Sequence, residues 1–158
     1  MRVRLTLAMT AAAILVAVSA PSAQTDPFAG TWKLNVAKSS YNPGPAPKSG
    51  IVTISTEGST VRVVVDGVGP TGEKVHWEYA AASHDGKEYK IVGNNADADT
   101  VALKRLGPRS VEVSNKLKGK PTTVNIRTVS ADGKTMTVTT KGLNAAGQTV
   151  SNVQMFEK

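Results

Sequence analysis

Ser55-Thr-Glu-Gly58-Ser-Thr-Val61-Arg-Val-Val-Val65-Asp-Gly67-Val-Gly-Pro-Thr-Gly72-Glu-Lys-Val75 contains, in one stretch, the parts from which the rest of the chain is built. A glycine-centred tight turn leads into a β-branched run, Val61 to Val65, in which Val61-Arg62-Val63 alternates apolar with charged. Alternation with period two marks a strand with one buried and one wet face. Gly67 to Gly72, with Pro70 between them, interrupts the run before a second strand opens at Val75. The unit is therefore turn, strand, glycine-bounded loop, strand.

The same unit recurs downstream. Ser130 to Val150 aligns with Ser55 to Val75 at constant offset, matching Ser55 with Ser130, Gly58 with Gly133, Val63 with Val138, Gly67 with Gly142 and Gly72 with Gly147. Duplication explains the match, and so does the need of any hairpin for glycine at its corners. Either way the chain reads as a series of hairpins.

Outward from this unit the pattern continues in both directions. Ile51 to Ile54, Val75 to Tyr79, Tyr89 to Val92, Thr100 to Leu106, Ser110 to Ser114, Thr122 to Val129, Thr135 to Thr140 and Thr149 to Phe156 are further short runs rich in β-branched residues. Asp85-Gly86 and Asp132-Gly133 are hairpin-turn dipeptides. Helical periodicity is not sustained anywhere after residue 23. The expected fold is all-β, an antiparallel up-and-down meander of about 8–10 strands. Closure into a barrel removes the two exposed edges of such a sheet and leaves room for side chains or one small ligand. A β-sandwich is the alternative, but its crossovers need longer connections than most of those present. The longest irregular stretch, Ala37 to Gly50, carries Pro43, Pro45 and Pro47. It is expected to run extended over a barrel mouth or along the wall.

The N-terminus has a different composition. Met-Arg-Val-Arg precedes an uncharged stretch, Leu5 to Val18, and then Ser19-Ala-Pro-Ser-Ala23. A basic start, an apolar centre of about a dozen residues and a small-residue end are the three parts of a secretory signal peptide. The apolar centre is short for a membrane span, which needs about 20 residues. A buried N-terminal helix is the alternative. The expected organisation is a signal peptide over 1–23, cleaved after Ala20 or Ala23, and one β-domain over 24–158. The expected location is periplasmic or secreted. Without any cysteine, neither a lipid anchor nor a disulfide is expected, and stability is expected to rest on a packed core.

The formal charge is +7, of which Arg2 and Arg4 supply two. Basic residues are scattered, with the densest group at Lys116, Lys118 and Lys120. That group reads as a solvated hairpin tip or as a patch attracted to an anionic envelope surface. Nucleic acid is not an expected partner, because aromatic residues are not interleaved with the basic ones.

Phe28-Ala-Gly30-Thr-Trp32-Lys-Leu-Asn35 resembles the first strand of the calycin superfamily, which includes lipocalins, fatty-acid-binding proteins and avidins. With Lys38-Ser39 and Pro43 to Ser49, the stretch is similar to that of exported bacterial lipocalin-like proteins of unassigned function. The resemblance covers 27–158 and implies a lipocalin-like barrel whose Trp32 indole plugs the closed end. Fatty-acid-binding proteins end in Arg-x-Tyr, whereas Gln154-Met-Phe156 stands here, without the cation and hydroxyl that hold a carboxylate.

Two histidines, His76 and His84, and no cysteine give little basis for a metal site. Asp97 and Asp99 lack the glycine and terminal glutamate of a calcium loop. With neither a nucleophile elbow nor a comparable frame, the chain is not expected to be an enzyme, and it calls for no cofactor. Trp77 and Tyr79 share the strand face of Val75, opposite His76. Met136, Val138 and Thr140 take the same interior face through the repeat. Trp32, Trp77, Tyr79, Met136 and Val138 are thus the candidate ligand-binding residues, with plain core packing as the alternative for the same face. Arg127, between Ile126 and Thr128, is expected to point outward. Two functions fit. One is a monomeric exported barrel binding a small hydrophobic or amphipathic ligand. The other is an envelope or secreted interaction module with a packed interior.

Overall fold

The β-branched runs form strands along nearly their whole length in the computed structural model, which describes residues 26–81 and 83–158. The expected signal peptide, 1–23, lies outside the described residues. Eleven strands follow in order: β1 (Gly30–Ser40), β2 (Ser49–Glu57), β3 (Thr60–Val68), β4 (Lys74–Ala81), β5 (Asp85–Lys90), β6 (Val92–Gly93), β7 (Thr100–Gly107), β8 (Ser110–Leu117), β9 (Lys120–Val129), β10 (Thr135–Leu143) and β11 (Thr149–Glu157). Among the described residues no helix is long and apolar enough to cross a membrane.

All pairings are antiparallel, and the sheet runs β5-β7-β8-β9-β10-β11-β1-β2-β3-β4-β6. The first strand therefore pairs with both the second and the last, Leu34 facing Phe156 and Trp32 facing Val52. The two ends of the sheet, β5 and β6, are consecutive in the chain, and β4 passes close to β5 without forming a ladder with it. The result is a meander curled into a nearly closed barrel.

The strand count exceeds the expected range because the run Tyr89 to Val92 is divided. Tyr89 belongs to β5, which pairs with β7, whereas Val92 and Gly93 turn back onto Glu78 and Trp77 of β4. Asp85-Gly86 is not the hairpin corner its composition suggests. It opens β5, where the register with β7 shifts between Asp85 and Glu88 and Gly86 takes a φ of 74°. A bulge uses the same glycine chemistry as a turn. The Lys118-Gly119 pair is a true corner, both residues having positive φ, and it places the Lys116–Lys120 group at the tip of the β8–β9 hairpin. Lys116 pairs there with Glu88.

The sequence repeat has a structural counterpart. β3 and β10 begin and end at equivalent positions, and the loops that follow carry equivalent hydrogen bonds. Gly72 N donates to Gly69 O at 3.1 Å, and Gly147 N donates to Asn144 O at 2.9 Å. Gly67 and Gly142, also equivalent, are needed for close approach. A Cβ on Gly142 would lie 2.2 Å from Thr122 O, and one on Gly67 would lie 2.6 Å from Ser49 O. In each copy a neighbouring backbone crosses where a side chain would stand.

Alternate residues of each strand fill the interior: Trp32 and Leu34, Val52 and Ile54, Val61 and Val63, Val101 and Leu103, Val111 and Val113. Each such side chain contributes roughly 1.5–3 kcal/mol when fully buried.

Candidate functional site

Strand register divides the barrel interior into rows, and the rows change character within one pleat. Val129 faces Met136, which faces Phe156, which faces Leu34, an apolar row. One pleat on, Val111 faces Arg127, Arg127 faces Val138, and Val138 faces Gln154. The third row is Val113, Asn125, Thr140 and Asn152. The apolar half is packed and the polar half is open.

Phe28 and Trp32 close the apolar end. Trp32 is 0 % exposed, and its indole N–H donates to Phe28 O at 2.8 Å. The Lys158 ammonium lies 4.6 Å from the Trp32 ring centroid. Arg105 covers the Phe28 ring at 5.3 Å and holds Asp26 at 2.8 Å. Such cation–ring contacts seal an apolar plug against water.

The other end is a cavity of about 350 Å³. Its floor is Arg127, Tyr79 and Val113, and its walls are mainly carboxamides, hydroxyls and the Trp77 ring. Arg127 is the correction to the outward reading. It is 8 % exposed, and its Nη1 donates to the Tyr79 hydroxyl at 3.0 Å. The phase of β9 is set by Val129 and Thr123, both buried, while Val124 and Thr128 face outward. Among the described residues no carboxylate lies within ion-pair distance of Arg127. Asn125, two residues nearer the mouth on the same face, has a buried Oδ1 with no hydrogen-bond partner. The Tyr79 bond offsets part of the desolvation cost of the Arg127 charge, while the Asn125 acceptor is buried without an offsetting bond.

Three loops are knitted around the mouth. Gln154 Nε2 donates to the Tyr41 hydroxyl at 3.2 Å, and Asn42 N donates to Asn152 Oδ1 at 2.9 Å. Ala145 N donates to Asp97 Oδ1 at 2.8 Å, which ties the β10–β11 loop to the β6–β7 segment. Pro43 and Pro45 line the cavity, so the proline-rich stretch lies over the mouth. Burial pushes the Tyr41 hydroxyl above its ordinary pKa, and its bonds with Gln154 and Ser39 offset that in part. Asp97 is thus a loop clasp, its backbone N–H held by Asn95 Oδ1 at 3.0 Å.

A second space of about 210 Å³ adjoins this one. Leu34, Val52, Val65 and Phe156 line it, together with the paired glycines Gly50 and Gly67. Trp77 and Gln154 border both spaces. The interior therefore offers a polar compartment beside a smaller apolar one.

The five candidate ligand-binding residues divide between these regions. Trp77 and Tyr79 line the polar cavity, their rings stacked with centroids 6.4 Å apart. Trp32, Met136 and Val138 are buried in the core cluster and border neither cavity. Arg127, Asn125, Thr123, Asn152 and Gln154 lie around the polar cavity without having been expected there. Counting period two outward from Val129 places the first three on the interior face. Gln154 takes the position where the resemblance calls for a cation, and Arg127 stands two strands away in the same row.

His76 is exposed, its Nδ1 2.7 Å from Asp66 Oδ1 on the outer face. Among the described residues no three His, Cys, Asp or Glu side chains group as metal ligands.

Fold and site define a class: an antiparallel β-barrel plugged at one end, with a polar cavity and an apolar annex at the other. No protein-family model matches the chain, and no curated protein matches it.

Proposed function

We propose that this protein is an exported, non-enzymatic, monomeric barrel of lipocalin-like type that binds one small amphipathic molecule in the periplasm or outside the cell. The adjoining cavities of opposite lining, meeting at Trp77 and Gln154, carry this reading. The polar compartment takes the head of the ligand and the annex takes a short apolar part. The amphipathic ligand is favoured over a purely hydrophobic one, since the latter would cover the carboxamides and hydroxyls of the cavity wall without offering them a partner. Export rests on the N-terminal segment, and the lipocalin-like assignment rests on Gly30-Thr-Trp32 ahead of the meander. The plugged end and the first-to-last strand pairing are in keeping with the latter.

The alternative, an interaction module acting through its loops, calls for a packed interior, and the cavities weigh against it. The test is mass spectrometry of the protein purified under native conditions, before and after organic extraction. A stoichiometric amphipathic species is expected. An empty protein that also fails to take up amphiphilic probes would count against the reading.

A further inference from the structure

The polar cavity is built asymmetrically, and the asymmetry specifies the head group. Along β9, Thr123, Asn125 and Arg127 face the interior in succession, two residues apart. Strand geometry spaces them by roughly 7 Å each. They form a ladder of hydroxyl, amide and guanidinium that descends from the mouth to the floor. Thr123 already accepts a hydrogen bond from Asn115 Nδ2 at 3.0 Å. Asn125 Oδ1 accepts none, and Arg127 spends one N–H on Tyr79.

A molecule complementary to this ladder carries an anion at its deep end, to meet the guanidinium. It carries hydroxyls one step higher, because the wall there is built of carboxamides and hydroxyls, Asn125, Asn115, Thr123 and Thr140 among them, that need hydrogen-bond partners. A plain fatty acid meets the first requirement and fails the second. Its methylenes would cover Asn125 and the other amides of the wall and leave them without water. A neutral sugar meets the second requirement and fails the first. On the other side of the cavity the Trp77 ring offers a flat apolar surface suited to the C–H face of a sugar ring. The volume of about 350 Å³ equals roughly a dozen water molecules at about 30 Å³ each, which is the scale of one hexose-sized unit.

We propose that the head group is a polyhydroxylated carboxylate of sugar-acid type, its carboxylate on Arg127 and Tyr79, a hydroxyl on Asn125, and a short apolar substituent in the annex. This rests on the binding function proposed above and names its ligand class.

The experiment is calorimetric titration of the protein in a carboxylate-free buffer with three probes. Octyl β-D-glucuronide has both features, octyl β-D-glucoside lacks the carboxylate, and decanoate lacks the hydroxyls. The glucuronide is expected to bind at least about tenfold more tightly than either of the others. R127Q is expected to erase the preference for glucuronide over glucoside. N125D supplies an internal carboxylate beside the guanidinium and is expected to weaken the glucuronide by about tenfold or more without unfolding the barrel. It keeps the test decisive if R127Q does not fold. Decanoate binding most tightly would overturn the sugar-acid proposal and leave the amphipathic-ligand reading standing. Equal affinity for glucuronide and glucoside, or an R127Q variant that keeps the preference, would overturn it too. If none of the probes binds and the purified protein carries no small molecule, both readings fall.

Discussion

Arg127 reaches across the barrel interior to Tyr79, its guanidinium donating to the phenol oxygen at 3.0 Å. The two residues sit on β9 and β4, which are not neighbours in the sheet, so the bond spans the interior. It also marks the boundary between packed core and open cavity. Val111 and Val138 flank Arg127 in its row, and Asn125 and Thr140 begin the polar row above. Among the described residues this buried cation has no carboxylate within ion-pair distance.

Tyr79→Phe removes the partner of a buried charge and is expected to lower stability by about 1–3 kcal/mol. Arg127→Met removes the charge together with its desolvation cost and is expected to cost less than that. In the R127M background Y79F should then cost under about 0.5 kcal/mol, giving a clear coupling in a double-mutant cycle. Urea unfolding of the four proteins measures it. Equal effects of Y79F in both backgrounds would refute the coupling.

Gly142→Ala and Gly147→Ala separate two reasons for glycine within one repeat. Both residues have positive φ, 137° and 77°. A Cβ on Gly147 meets nothing within 4 Å, whereas one on Gly142 runs into the backbone of Thr122 and Thr123. G147A should cost about 1–2 kcal/mol for the left-handed conformation alone. G142A should cost about 2–4 kcal/mol, since a neighbouring strand must move. A G142A variant as stable as G147A would show that the strand crossing yields easily.

How legible was this molecule before its structure? Strand positions were, because Val61-Arg-Val and Val111-Glu-Val alternate strictly and β-branched residues suit a half-buried pleat. The equivalence of β3 and β10 was also visible, since their flanking glycines serve the same backbone conformations in both copies. Asp85-Gly86 misled because a bulge and a turn make the same demand on glycine. Arg127 misled for a deeper reason. Assigning faces by polarity assumes that a charge belongs outside, and that assumption fails at Arg127, which finds the Tyr79 hydroxyl inside the barrel. The Trp32 plug was readable from Gly30-Thr-Trp32, but the division of the interior into packed and open halves depends on register across five strands.

Trp32 should dominate the stability of the closed end. Trp32→Ala removes a fully buried indole and is expected to cost about 3–5 kcal/mol, a large share of the roughly 5–15 kcal/mol typical of a domain. Trp32→Phe keeps most of the volume but leaves Phe28 O without its indole donor, for about 1–3 kcal/mol. Trp77, the remaining tryptophan in both variants, reports unfolding by fluorescence. A cost for W32A under about 1 kcal/mol would mean that the plug contributes little.

His84 should make the fold sensitive to mild acid. Burial holds its imidazole below the ordinary pKa, Arg105 and, less strongly, Arg127 push the same way, and Asp26 opposes them. The folded state thus resists a proton that the unfolded chain accepts near about pH 6.5. Stability from this group is fully present above that pH. It declines as the pH falls below about 6.5, until the folded imidazole also titrates. His84→Gln cannot titrate and should flatten the dependence of the urea midpoint between pH 7.5 and 5.5. Asp85 and Glu157, both held below their ordinary pKa by hydrogen bonds, lose their contributions only at lower pH. An H84Q variant that keeps the wild-type slope would refute this assignment.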